Sequence, residues 1–246
     1  MTQVLLLLFT LAVMQQRPAV ATPPVPILCY HNIRASLEGH RPDYTIDRER
    51  FRQHLQSLYD RGYHTITAHQ LYQHLTHGTV LPEKPVMITF DDNRLEHFTV
   101  AAPILRQFGF TGVFFIMTVT IGKPGYMTAA QIKQLVGDGH TIGVHTWNHP
   151  DMRHLTQEQW RVQVDLPRQT LERITGQPAP YFAFPYGAWN EAALLQLKSR
   201  GMKLAFQLNG KTSSINALYT IRRLEVAGNW QPARLLQAMR SGQSGS

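Results

Sequence analysis

Two adjacent aspartates, Asp91 and Asp92, close an apolar run over 86–90 that follows Pro85. The run, Val-Met-Ile-Thr-Phe, predicts a buried strand, and the acids with Asn93 behind them predict its end. Successive strand residues face opposite sides, so both carboxylates can serve one site only where the chain is already turning. Asn93 suits such a turn, because asparagine tolerates the left-handed conformation better than most residues carrying a Cβ. The plainer reading is two solvated acids capping the next helix. Further on, His145-Thr146-Trp147-Asn148-His149 sets two imidazoles four residues apart, which brings both to one side of a single helical turn. Pro150 disfavours helix at His149, so the pair is expected on a turn directly after a strand. Two histidines and a distant carboxylate give three protein ligands and leave a coordination position for water, the plan of a catalytic zinc site. In a chain with 12 histidines the pair alone could be surface residues; Asp92 at another strand end turns the balance towards a site.

These groups need a scaffold that brings strand ends together. Strand-like runs over 25–30, 65–67, 86–90, 113–117, 141–144, 181–184, 203–208 and 219–226 alternate with helix patterns. The first helix carries Phe51, Leu55, Leu58 and Tyr59 after Asp47, and Gly62 follows its end. Thr128 and Asn190 are placed to cap later helices, and Thr156-Gln157-Glu158-Gln159 fits a capping box. Pro167 is expected to bend or break the helix that this box starts. The segment 32–44 is polar and without period, and reads as a loop. The alternation predicts a single α/β domain with a largely parallel sheet, and seven or eight strands favour a distorted (β/α) barrel over an open sheet. In such barrels the chemistry sits at the C-terminal ends of the strands. His31, Asp91, Asp92, His145 and Tyr186 all fall at such ends.

At 246 residues, 43% hydrophobic and 16% charged, the chain is an ordinary globular protein with material for a core. A formal charge of +8 raises nucleic acid as a partner, but the Lys and Arg are scattered without a basic block, so none is expected. Residues 1–21 contain an apolar run over 4–14, too short to span a bilayer, and then Ala19-Val20-Ala21, which matches a signal peptidase site. A signal peptide over 1–21, a domain over 22–240 and a flexible tail over 241–246 are therefore expected, with an exported, periplasmic or extracellular location. The membrane would be met only through an uncleaved signal segment. The single cysteine, Cys29, cannot form an internal disulfide and reads as strand packing.

Thr89-Phe90-Asp91-Asp92, then His145 to His149, then Phe184-Pro185-Tyr186-Gly187, in that order and at those separations, resemble the NodB-type polysaccharide deacetylases. The resemblance runs from Pro26 to Val226. Within the family the chain is most similar to deacetylases of exported poly-β-1,6-N-acetylglucosamine, through Leu28-Cys29-Tyr30-His31 and Arg223-Leu224-Glu225-Val226. It implies a divalent metal on Asp92, His145 and His149, zinc foremost and cobalt or nickel as alternatives. It also implies Asp91 as general base, a backbone N–H at Tyr186 for the oxyanion, and His31 as general acid, since no C-terminal Leu-x-His is present. The implied activity is removal of N-acetyl groups from an N-acetylglucosamine polysaccharide by a monomer. Peptidoglycan and chitin oligomers stay open as substrates. Two positions depart from the family pattern: Asn93 replaces a glycine and is expected to put a side chain near the metal, and Ala183 replaces an arginine that pairs with the base. Arg223 is expected to supply that charge from another strand end. Tyr30, Tyr126, Trp147, Tyr186 and Trp189 could stack on sugar rings or pack inside. A polysaccharide-binding protein on the same fold is the rival reading, although it has no need of Asp91. An iron oxygenase with two histidines and one carboxylate likewise leaves Asp91 without a task.

Overall fold

The strand-like runs all enter one parallel sheet. The computed structural model describes residues 25–35, 44–208 and 210–243; the expected signal peptide lies outside the described residues. In chain order the strands are β1 (Ile27–Tyr30), β2 (Asn32–Arg34), β3 (Thr45–Asp47), β4 (His64–Thr65), β5 (Pro85–Phe90), β6 (Val113–Ile116), β7 (Thr141–Val144), β8 (Tyr181–Ala183), β9 (Leu204–Phe206) and β10 (Leu224–Glu225). The helices are α1 (Arg48–Tyr59), α2 (Ala68–His77), α3 (Ala102–Gln107), α4 (Ala129–Gly137), α5 (Gln157–Trp160), α6 (Leu166–Thr175), α7 (Glu191–Ser199) and α8 (Pro232–Gln243).

The main sheet runs β10-β1-β5-β6-β7-β8-β9, with β4 beside β5, and every pairing in it is parallel. Ile221 bridges Phe206 on β9, and three residues later Leu224 pairs with Leu28 on β1. The run 221–225 thus touches both edges of the sheet and curls it into the distorted barrel. Strand alternation sorts the core into two layers. Ile27, Met87, Val113, Phe115, Tyr181, Ala183, Leu204 and Phe206 fill the barrel, while Leu28, Ile88, Phe90, Phe114 and Phe182 face the helices.

Tyr30 shares the parity of Leu28, so it faces the helices rather than the sugar site expected for it. It is 1% exposed, packs between Phe51 and Phe90, and shares a hydrogen bond with His54 Nδ1 at 3.2 Å. Further differences from the sequence reading concern element bounds. Within 32–44, Asn32–Arg34 forms β2, paired in parallel with β3. The strand expected over 219–226 is instead a 3-10 turn (Ala217–Tyr219), the Ile221 bridge and the two-residue β10, because the chain must cross from β9 to β1 there. Helix α8 was not anticipated, although Leu235, Leu236 and Met239 make a buried stripe at helical spacing. It continues to Gln243, into the stretch expected to be a flexible tail.

Pro167 does not break its helix. A turn of π-helix (Arg161–Asp165) links α5 to α6, and Leu166 N–H bonds the carbonyl of Arg161. Proline lacks the N–H for residue i−4 and crowds that carbonyl, so the chain widens its turn just ahead of the ring. The same device, His97–Ala101, precedes Pro103. Among the described residues no helix is long and apolar enough to cross a membrane.

Candidate active site

Strands β1, β5, β7 and β8 deliver His31, Asp91 and Asp92, His145, and Tyr186 to one end of the barrel. A cavity of about 400 Å³ opens there, lined by these five residues together with His149, Tyr44, Phe184, Leu208 and Glu225. The backbone around it is strained. Six non-glycine residues have positive φ among those described, and five of them are Asp92 (81°), Asn93 (60°), Thr146 (67°), His149 (67°) and Tyr186 (58°). Such conformations cost about 1–3 kcal/mol each and persist where surrounding contacts enforce them. At Asp92 the left-handed turn sends the second carboxylate to the same cavity as the first, which strand alternation alone forbids.

Asp92 Oδ1 lies 3.6 Å from His145 Nε2 and 3.8 Å from His149 Nε2. Single ligand atoms of the three residues all lie within 4.8 Å of one another. His145 Nδ1 donates to the carbonyl of Ala183 at 2.8 Å, which fixes the tautomer and leaves the Nε2 lone pair facing Asp92. His149 is held from its own turn, its N–H donating to Thr146 Oγ1 at 2.9 Å. Burial and then the neighbouring His145 lower the His149 pKa, so the ring stays neutral and able to ligate. One carboxylate and two converging imidazoles, one of them with its Nδ1–H tied to a backbone carbonyl, fit a divalent cation.

Asp91 is 2% exposed and lies next to that trio but has a different partner. Both its oxygens are taken by the buried Arg223: NH1 donates to Oδ1 and NH2 to Oδ2, each at 2.7 Å. Arg223 is tied further by its Nε to the Gln207 carbonyl at 3.2 Å and lies over the Phe115 ring. Burial by itself would push the Asp91 carboxyl up, but the Arg223 guanidinium overrides it and holds the group well below the usual carboxylate range. His145 Nε2 and His31 Nε2 each lie 3.9 Å from Asp91 Oδ2. His31 Nδ1 is 4.0 Å from Glu225 Oε1.

Asn93 keeps the left-handed turn but not the expected direction. Its side chain is buried, donates to Thr120 Oγ1 at 2.9 Å and is turned away from the cavity. Tyr186 is 67% exposed at the rim, its ring edge-on to His149. Trp147 is exposed but outside the lining. Trp189 is half-buried with its Nε1 donating to Gln207 Oε1 at 3.0 Å, and Tyr126 accepts from Arg94 NH1.

The sequence reading missed two supporting residues, both carried by the widened turns. Gln163 Oε1 accepts from the N–H groups of Trp147 (3.1 Å) and Asn148 (3.3 Å), and its Nε2 donates to Asn148 Oδ1. It thereby braces the loop between the two histidines. His97 Nε2 donates to the carbonyl of His31 at 2.6 Å. The signal for both was indirect: a proline four and six residues downstream, where a helix must open its turn.

Acid and imidazole side chains gathered at the C-terminal ends of parallel barrel strands define a (β/α)-barrel enzyme. Comparison with known proteins gives the family. Residues 78–205, more than half of the chain, match the polysaccharide deacetylase family, and the chain belongs to that family and is an enzyme of its class. Asp91, Asp92, His145 and His149 fall inside the matched stretch; His31 and Arg223 fall outside it. The deacetylase PplD of Streptococcus pyogenes, solved with acetate, superposes with a TM-score of 0.81 at 27% identity, over 89% of this chain and 99% of that one. YxkH of Bacillus subtilis strain 168, provisionally named a polysaccharide deacetylase, is 27% identical over 204 residues, 82% of this chain and 71% of that protein. The poly-β-1,6-N-acetyl-D-glucosamine N-deacetylase of Escherichia coli K12 is 22% identical over 245 residues, 82% of this chain and 36% of that protein. The chain spans 36% to 57% of the length of several other curated relatives.

Proposed function

We propose that this protein is a metal-dependent N-deacetylase of an exported N-acetylglucosamine polysaccharide, with poly-β-1,6-N-acetylglucosamine as the favoured substrate. The observation that carries this reading is the separation of two carboxylates with different partners. Asp92 faces two imidazoles, whereas Asp91 is clamped by Arg223 at 2.7 Å and left out of that trio. Asp92, His145 and His149 hold a divalent cation, zinc foremost. The cation supplies Lewis acidity and brings the pKa of a bound water towards about 7.

Asp91, kept ionised by Arg223, accepts the proton of the attacking water as it adds to the acetamide carbonyl. The backbone N–H at the left-handed turn of Tyr186 donates to the oxyanion. His31, 3.9 Å from Asp91, gives a proton to the departing amine. Tyr44 and Tyr186 at the rim supply apolar faces for sugar rings. The preference for the β-1,6 polymer is supported by the E. coli relative, whose match covers 82% of this chain, and by the motifs at His31 and Arg223. Residues 1–21 act as an export signal.

Acetate release from β-1,6-linked and β-1,4-linked N-acetylglucosamine oligomers and from peptidoglycan tests the proposal. Release from the β-1,6 oligomers should lead, stop on chelation, return with added zinc or cobalt, and drop by at least about 100-fold in Asp91→Asn. Undiminished release by Asp91→Asn, or after complete metal removal, would overturn it.

A further inference from the structure

Beside the metal trio, a second group of ligating side chains takes no joint part in the reaction just described. Cys29 lies one strand step before His31 and faces the barrel interior, paired in register with Thr89 on β5. Its Sγ is 3.7 Å from Asp91 Oδ2, and His31 Nε2 is 3.9 Å from the same oxygen. One ligand atom from each of Cys29, His31 and Asp91 lies within 4.8 Å of the others. A thiol, an imidazole and a carboxylate from two adjacent strands therefore converge on one point, and they share no residue with Asp92, His145 and His149.

We propose that Cys29, His31 and Asp91 form a second, inhibitory site for a soft divalent cation such as cadmium or excess zinc. The donor set selects for softness. Arg223 bonds both oxygens of Asp91 and offsets its charge, so magnesium or calcium meets an imidazole and a compensated carboxylate, with too few hard oxygen donors. A thiophilic ion does better, because it replaces the thiol proton, which leaves to solvent, and gains an anionic sulfur ligand. The ion enters from the cavity, whose wall includes His31 and Asp91. The catalytic cation fills first. Asp91 Oδ2 is only 3.9 Å from His145 Nε2, and repulsion between two dications that close weakens the second binding.

The consequence for activity rests on the function proposed above: an ion here occupies both the base Asp91 and the acid His31. The binding itself does not rest on it, and the two are read separately. Cadmium is titrated into cobalt-loaded wild-type protein while the ultraviolet charge-transfer absorption of a cadmium–thiolate bond and the release of acetate are followed. Cys29 is the only cysteine in the chain, so any such band belongs to it. The band should rise as acetate release falls. It should survive in Asp92→Ala, which lacks a ligand of the first site. Cys29→Ser should lose the band, keep its cadmium-free activity, and need at least about tenfold more cadmium for the same inhibition. Absence of the band in wild-type protein, or equal cadmium inhibition of wild type and Cys29→Ser, overturns the second site. If wild-type protein releases no acetate from any polymer, the function proposed above fails, and the band still decides the second site.

Discussion

Asp91 is subject to two opposed effects. Its burial favours the protonated carboxyl, and Arg223, with two bonds of 2.7 Å, favours the carboxylate; the direction of the pKa shows that the cation prevails. Replacing the guanidinium with an apolar side chain of similar length isolates this balance. Arg223→Met leaves a buried carboxylate unpaired, which should cost about 3–5 kcal/mol of stability at neutral pH. The Asp91 pKa then rises, so the acid limb of kcat/KM should move to higher pH. A pH–rate profile of the variant checks it, and an unmoved limb would remove Asp91 as the titrating base. The stability effect has its own sign. A carboxyl whose folded pKa lies below its unfolded value contributes fully above about pH 4 and loses that contribution as pH falls towards the folded value. The stability gap between wild type and Arg223→Met, measured by urea unfolding, should therefore be widest at neutral pH and narrow as pH falls through the raised Asp91 pKa of the variant towards the lower wild-type value.

At the scale of elements, the barrel strands aim the site and the widened helical turns brace it. Gln163 sits in one such turn and satisfies the N–H groups of Trp147 and Asn148. Gln163→Ala should leave the histidine loop without its brace and weaken cation binding by about 10- to 100-fold, as supporting groups around metal sites generally do. Calorimetric titration with zinc reads that loss, and acetate release should recover at saturating metal if the role is one of positioning. This brace also marks what a sequence can convey. Groups whose cause lies within a few residues were legible: the cap at Thr128 and the capping box at Thr156 both form, Asn190 caps α7, and the strand ends bring Asp91, Asp92 and His145 to one cavity. Arg223 could be reached only from the missing arginine at Ala183, because its partner is 132 residues away. Gln163 and His97 could be reached only through the prolines downstream of them, since a π turn changes which side of a helix a residue faces and local periodicity does not announce it. The side chain of Asn93 was misplaced for a similar reason: backbone preference fixes the turn, but Thr120, from a later segment, decides where the amide goes.

Across the whole molecule, three histidines hold separate parts of the barrel together as neutral rings. His54 donates from Nε2 to the Trp230 carbonyl at 2.8 Å and has Tyr30 OH at Nδ1, joining α1 to the segment before α8. His97 joins the loop after β5 to β1 through the His31 carbonyl. His140 accepts the Gly112 N–H at Nδ1 (3.0 Å), ahead of β6 and β7. A proton on Nδ1 of His140 would set a donor against a donor, and burial lowers all three pKa values to about 4. An unfolded chain takes up these protons near the ordinary histidine value of about 6.5. Their contribution to stability is therefore complete above about pH 6.5 and is drawn down as pH falls towards about 4, below which it changes no further. One histidine accounts for about 3 kcal/mol at most over that window. Asp91 acts below it, so acid destabilisation should come in two stages with different owners. The formal charge of +8 with neutral histidines adds like-charge repulsion in the same direction. His140→Gln keeps an acceptor for Gly112 and removes one titrating ring, so its stability should fall less than that of wild type between about pH 7 and pH 4.5. Urea unfolding at both pH values measures the difference, and equal losses in the two proteins would show that His140 plays no part in the first stage.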